Sequence, residues 1–274
     1  MGFKRKAGID VGGTLIKAAI RDADGLKFRS FMADELGQCA RWLNDDLSDT
    51  DLCLTGGGAS MLQEKLLQQK VHLIPEFEAS CSGVRFFLKK ASERATDRFI
   101  LTNCGTGTSI HLVDGNTQRR IGGSGIGGGT LIGLSELLTG KHHFRTLMGL
   151  ADHGNRDRID LTVARIYEGA VPPIPGDLTA SNFGLASRGT AEIDEADKVS
   201  AVIGLVAETI TTLSIFAAEK EGVRTAVYIG SSFAGNPEMR AIVMRYSRLY
   251  GIKPVIPENG QYSGAVGALL RLEH

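Results

Sequence analysis

The stretch Ala7-Gly8-Ile9-Asp10-Val11-Gly12-Gly13-Thr14-Leu15-Ile16-Lys17 decides the fold. An apolar run ends in a carboxylate, two glycines and a threonine follow, and a second apolar run begins at Leu15. The pattern predicts a strand, a tight Gly-Gly turn and a returning strand. Glycine has no Cβ, so the amides of Gly12, Gly13 and Thr14 can approach an anion closely. Asp10, at the strand end, is placed to hold Mg²⁺ through water, because a hard divalent cation prefers oxygen ligands. The hairpin is a candidate phosphate clamp with its metal partner. An ordinary hairpin whose Asp caps the turn has the same signature, and short motifs match by chance. What favours the clamp is that glycine loops recur downstream.

Glycine is the compositional outlier: 35 of 274 residues, about twice the usual share. The clusters fall at 12–13, 56–58, 105–107, 122–129, 230 and 264–267. Some are tight turns; together they suggest backbone held close to a ligand. Otherwise the chain is ordinary, 42% hydrophobic with 31 Lys+Arg against 31 Asp+Glu. Zero net charge argues against a general nucleic-acid or membrane-surface binder, so any anion site is local. Cys39, Cys53, Cys81 and Cys104 form no C-x-x-C pair and suit no zinc spacing. Reduced buried thiols and a cytoplasmic location are the expectation. Met1-Gly2-Phe3-Lys4-Arg5-Lys6 lacks the apolar run of a signal peptide and the myristoylation pattern, and no uninterrupted apolar stretch is long enough to span a bilayer.

Residues 6–75 read β-β-β-α-β-α-β, with helices over Glu35–Leu47 and Ser60–Gln69. A helix opens at Glu76-Phe77-Glu78 and runs to about Lys90. Two carboxylates in a first turn suit the helix dipole, but positions two apart cannot share a face. Arg98–Leu101, the turn Asn103-Cys104-Gly105-Thr106-Gly107-Thr108-Ser109 and Ile110–Val113 then repeat the opening logic, which suggests a second, related domain. Asp114-Gly115-Asn116 is a hairpin turn.

The loop Ser124-Gly125-Ile126-Gly127-Gly128-Gly129-Thr130 leads into a helix over Leu131–Leu138, an arrangement in which amides and dipole favour an anion. It is neither a P-loop nor a Rossmann fingerprint. Helices are expected at Phe144–Leu150, Leu161–Tyr167, Lys198–Lys220, Pro237–Tyr250 and Gln261–Leu272. Val171–Asp177 reads as a stiff proline-rich segment, a surface loop or a partner-facing arm. His142 and His143 read as surface residues, and His153 as a structural, buried imidazole. The wide apolar coverage of 198–220 implies burial in an inter-domain core or a dimer interface.

With these residues in place, the chain resembles the type II pantothenate kinases of bacteria, members of the actin/sugar-kinase/chaperone-ATPase superfamily. The resemblance spans essentially the whole chain. It is carried by Gly8-Ile9-Asp10-x-Gly12-Gly13-Thr14, Asn103-x-Gly105-Thr106-Gly107-Thr108-Ser109, Gln118-Arg119-Arg120-x-Gly122-Gly123 and Pro172-Pro173-Ile174-Pro175-Gly176-Asp177. Tyr228-Ile229-Gly230-Ser231-Ser232-Phe233 and Glu258-Asn259-Gly260 add to it. The resemblance implies an α/β fold of two RNase H-like domains around an ATP cleft, the actin-like ATPase fold. The domains would be 1–98 and 99–274, with the last helix packing back on the first.

It implies ATP and Mg²⁺ as cofactors, pantothenate as the small-molecule partner, and a homodimer. The reaction would be transfer of the γ-phosphoryl of ATP to the primary hydroxyl of pantothenate. Glu76 matches the family's catalytic carboxylate and Arg120 its substrate- and phosphate-contacting arginine; Glu78 is the internal rival for the base. Nucleotide positions match at Asp10, Val11, Gly12, Gly13, Thr14, Leu15, Ile16, Lys17, Thr106, Gly128, Gly129, Thr130, Leu131, Ile132, Phe144 and Ser231, with Asp10 also the metal residue. Ser124, Ile126 and Thr130 depart from the family inside the glycine loop. A sugar or N-acetylhexosamine kinase of the same fold, and a non-metabolic regulatory ATPase, are the alternatives. The first often carries a Cys/His zinc cluster, which this chain lacks. An iron–sulfur activator needs neighbouring cysteines, and these four are scattered.

Overall fold

The structure is a computed structural model describing residues 4–67, 70–90, 97–115, 117–187 and 193–273. Met1-Gly2-Phe3, Asn116 of the expected turn and Gln69 at the end of an expected helix lie outside the described residues.

The first half runs β1 (Lys6–Val11), β2 (Leu15–Asp22), β3 (Gly25–Met32), α1 (Leu36–Asp46), β4 (Asp51–Thr55), α2 (Ala59–Gln63), β5 (Val71–Leu73) and α3 (Glu76–Lys90). The second opens with β6 (Arg98–Cys104), β7 (Thr108–Asp114), β8 (Thr117–Ser124), α4 (Gly128–Thr139) and α5 (Phe144–Ala151). It continues through β9 (Leu161–Thr162), α6 (Val163–Tyr167), β10 (Thr179–Ser181) and α7 (Glu195–Lys220). It closes with β11 (Thr225–Ile229), α8 (Pro237–Leu249), β12 (Lys253–Val255) and α9 (Ser263–Arg271).

The first five-stranded sheet has the order β3-β2-β1-β4-β5 and the second β8-β7-β6-β11-β12. In each, three strands pair antiparallel in sequence order, and two more add in parallel beside the first. The opening logic of residues 7–17 is thus repeated at the level of the whole sheet.

Side-chain alternation along the strands builds the layers. Ala7, Ile9 and Val11 of β1 face α1 and α2 in one core. On the other sheet face, Ala19 packs with Ala265, Val266 and Leu269 of α9, and Cys53 with Ala79 and Ala268. In the second sheet, Phe99, Leu101, Val113 and Val227 meet Cys81, Val84 and Leu88 of α3. Ile100, Ile110, Leu112 and Tyr228 point the opposite way into the core around α7. Helices α3 and α9 therefore form a middle layer between the sheets. α9, from the end of the chain, lies against β1, and glycines permit the approach: a Cβ at Gly8 would collide with the backbone of Ala265 and Leu269, and one at Gly267 with the carbonyl of Ala79.

Three expectations are corrected. Helix α2 stops at Gln63, because Asn44 of α1 captures the chain beyond it: its Nδ2 donates to Lys65 O at 3.0 Å and its Oδ1 accepts from Leu67 N at 3.1 Å. Leu161–Tyr167 is not one helix. Leu161–Thr162 pairs with β10, and the amides of Val163 and Ala164 donate to the carbonyls of Leu178 and Gly176, which starts the helix two residues later. His153 is exposed rather than buried.

Helix α7 is long and apolar enough to cross a membrane by composition, although Glu208 interrupts its apolar run; here Val199, Val202, Ile203, Val206 and Ile210 fill the second-half core. Val171 and Ile174 of the proline-rich segment stand out from the surface, Val171 93% exposed.

Candidate active site

The two glycine turns meet. Thr14 Oγ1 of the first lies 2.8 Å from Thr106 Oγ1 of the second. The loop before α4 then docks on the second turn: Gly128 N donates to Gly105 O and Gly129 N to Thr106 O, both at 2.8 Å. These contacts revise the expectation for the glycine loop. Residues 128–130 are the first turn of α4, and two of its leading amides bind protein carbonyls. Gly12 N likewise donates to Leu15 O at 3.1 Å inside its own hairpin, so the candidate anion-binding amides of that turn reduce to Gly13 and Thr14.

Ser124, Ile126 and Thr130 take part in pinning this loop. Thr108 Oγ1 donates to Ile126 O at 2.7 Å, Ile126 N donates to Ser124 Oγ at 3.0 Å, and Thr130 Oγ1 donates to Gly125 O at 3.1 Å. A third turn closes the group. Gly230 takes φ +121°, and Ser232 Oγ donates to Cys104 O at 3.3 Å, which sets Ser231 beside the end of β6. Val11, Ile16 and Leu131 bury their side chains completely or nearly so, so only their backbone is available to a ligand. Ile132 and Phe144 pack against the second-half core.

Asp10, next to last in β1, pairs with Lys17 on β2. Its carboxylate sits between two glycines: a Cβ at Gly56 would stand 2.8 Å from Oδ1, and one at Gly264 2.5 Å from Oδ2. Burial raises its carboxyl above the ordinary value, against the pull of Lys17. Glu76, at the first turn of α3, feels the same neighbours: burial raises it, Asp10 raises it further, and Lys17 opposes both. It keeps an open path to solvent. Glu78 diverges, and its charge is felt instead by Cys53, beside Arg271.

Mg²⁺ needs few protein ligands, one or two carboxylates plus phosphate and water oxygens. Asp10 fits that requirement: a hard oxygen donor in a tight cradle, reached by no hydrogen bond from the described residues, beside the paired glycine turns. Among the described residues no group of three or more His, Cys, Asp or Glu forms an all-protein cage.

Arg120 and Arg119 part company on β8. Arg119 Nη2 donates to both carboxylate oxygens of Glu221, at 3.1 and 3.0 Å, at the end of α7. Arg120 is exposed and has no ion pair among the described residues. A bulge sits beside it, since Ile110 pairs with Gly122 and His111 with Arg120, leaving Ile121 extra. The guanidinium lies over Gly123, where a Cβ would be 2.6 Å from Nη2.

His111 is the residue that sequence reasoning missed. It is 3% exposed, packs with its ring centroid 4.5 Å from that of Phe77, and leaves Nε2 buried without a partner among the described residues. No local pattern marks it, because a histidine in an apolar strand looks like core.

The sequence profile of the Fumble family matches residues 17–271. The type II pantothenate kinase of Staphylococcus aureus (strain USA300) is 42% identical over 265 residues, 96% of this chain and 98% of that protein. Solved structures share the fold at low identity. The activator of the 2-hydroxyisocaproyl-CoA dehydratase from Clostridium difficile, with bound ADPNP, superposes with TM-score 0.63 at 15% identity, covering 97% of this chain and 93% of that one. A ROK family glucokinase from Streptomyces griseus, in complex with glucose and AMPPNP, gives 0.61 at 12% identity, covering 97% and 98%. Both likenesses establish the actin-like ATPase fold and nothing narrower.

Proposed function

The chain belongs to the type II pantothenate kinases, the family of the Fumble profile, and from that premise we propose how its residues divide the work. The reaction is ATP-dependent phosphorylation of pantothenate to 4′-phosphopantothenate, the first step of coenzyme A biosynthesis. Phosphoryl transfer asks a protein mainly for positioning and charge neutralisation. Glu76 is the general base. It accepts the proton of the primary hydroxyl as that oxygen bonds to the γ-phosphorus, and the bond to the β–γ bridging oxygen breaks to release ADP. Such a base contributes roughly 10²–10⁴-fold. Arg120 supplies a forked contact to the transferring phosphoryl or to the pantothenate carboxylate.

The amides of Gly13 and Thr14, Lys17, the 105–107 turn, Gly128–Ile132, Phe144 and Ser231 hold the nucleotide. Asp10 would hold Mg²⁺ through water, and the ion when bound supplies charge neutralisation at the phosphates. The protein works as a cytoplasmic homodimer; the burial that pushes the Cys39 thiol up to about 12 and those of Cys53 and Cys81 to about 11 suits a reducing compartment.

One observation carries the choice of base: Glu76 lies in the field of Asp10 and Lys17 beside the paired turns, while Glu78, two positions on, takes another face of the helix and acts on the Cys53 thiol. The test is phosphorylation of pantothenate by purified protein with ATP and Mg²⁺, with N-acetylglucosamine and glucose as parallel acceptors, beside Glu76→Gln. The expected result is pantothenate turnover that falls by about 10²-fold or more in the folded variant. Turnover that survives would move the base elsewhere, and ATP hydrolysis without transfer to any acceptor would favour a regulatory ATPase.

A further inference from the structure

Glu76 and Arg120 reach the site from different halves of the molecule, one on α3 and the other on β8. Something has to register them. The residue after Glu76 is Phe77, and the cross-strand partner of Arg120 is His111. Those two partners touch: the Phe77 and His111 rings lie 4.5 Å apart, tilted by 50°. Sheet alternation puts His111 on the face of β7 that carries Val113 toward α3, opposite Ile110 and Leu112.

We propose that His111 is a positioning residue whose ring fixes Phe77, and through it Glu76, at a set offset from Arg120. The inference rests on the assignment of Glu76 as base. The ring works uncharged. Burial and the Arg120 guanidinium hold its pKa at about 4, and a second cation there would repel the arginine. Its Nε2 is buried without a hydrogen-bond partner among the described residues, a feature native cores rarely keep. The two rings meet as a tilted pair, so packing rather than a polar bond transmits the position.

The experiment uses His111→Ala, His111→Phe, Glu76→Gln and the double variant His111→Ala/Glu76→Gln, each with its thermal unfolding curve. His111→Phe keeps a ring and removes both nitrogens. Steady-state kinetics with ATP and pantothenate are expected to show His111→Ala losing about tenfold or more in kcat with KM for ATP unchanged, since a displacement near 1 Å can cost 10²-fold. His111→Phe is expected within about threefold of the parent, as a core-sized aromatic replacement. In the Glu76→Gln background, His111→Ala is expected to add little, because the two act through one group. Any of three results overturns the proposal: a parental kcat in His111→Ala, a loss in His111→Phe as large as in His111→Ala, or a full, additive loss in the double variant. Glu76→Gln measured alone tests the base, so failure of that reading is visible separately.

Discussion

Burial and the Lys17 charge act on both Asp10 and Glu76. Lys17 pulls both carboxyls down while burial, and for Glu76 also Asp10, push them up. A base must be deprotonated to act, so the acid limb of kcat follows the Glu76 carboxyl and should lie above the ordinary carboxylate range. Removing the lysine charge removes a lowering influence, so Lys17→Met should move that limb to higher pH, whatever it does to the plateau. Profiles of kcat against pH for both proteins at equal saturating Mg²⁺ check this, and a limb that stays or moves down contradicts it. The sequence named these three residues but could not choose between Glu76 and Glu78. Two-residue spacing dictates that they diverge, not which one turns inward. Nor could it find His111, whose significance lies in a strand partner and a helix far away in the chain.

At the scale of elements, local pattern was informative and long-range contact was not. The strand–turn–strand of residues 7–17, its repeat at 103–109 and the small-residue helix near the end were all readable from apolar runs and glycine. The stop of α2 was not, because Asn44 imposes it from another helix. The engagement of Gly128 and Gly129 amides with the second turn was equally hidden. The small residues of α9 did signal close approach, and the structure identifies the surfaces: Gly83 fits under the Ser263 carbonyl, Gly267 under that of Ala79, and Gly8 under Ala265. Gly267→Ala should therefore destabilise by roughly 1–3 kcal/mol or more, the cost of overpacking against backbone that cannot yield. Urea unfolding measures it; a parental midpoint and slope would show that α3 and α9 can separate.

The molecule as a whole is a duplicated sheet plan closed around three turns. Thr14 in the first half and Thr106 in the second touch across the junction, so a ligand spanning those turns binds the folded protein and not the unfolded chain. ATP with Mg²⁺ at about 100 times its Kd should stabilise by about 2.7 kcal/mol. Differential scanning fluorimetry should show the rise with Mg²⁺ and a smaller one with EDTA. In Asp10→Asn the EDTA effect should disappear; an undiminished Mg²⁺ response in that variant would take the ion away from Asp10.

The placement of α9 has a consequence for how the protein is made. The first sheet and α3 leave the ribosome early, yet the helix that covers Gly8 and Ala19 is translated much later. At ordinary elongation speed the interval from Lys90 to Ser263 lasts on the order of ten to thirty seconds. For that time one face of the nascent first half is bare. Early folding of the first half would be only provisional, and docking of α9, not emergence of the first half, would mark the moment when that half becomes resistant to proteases and safe from aggregation.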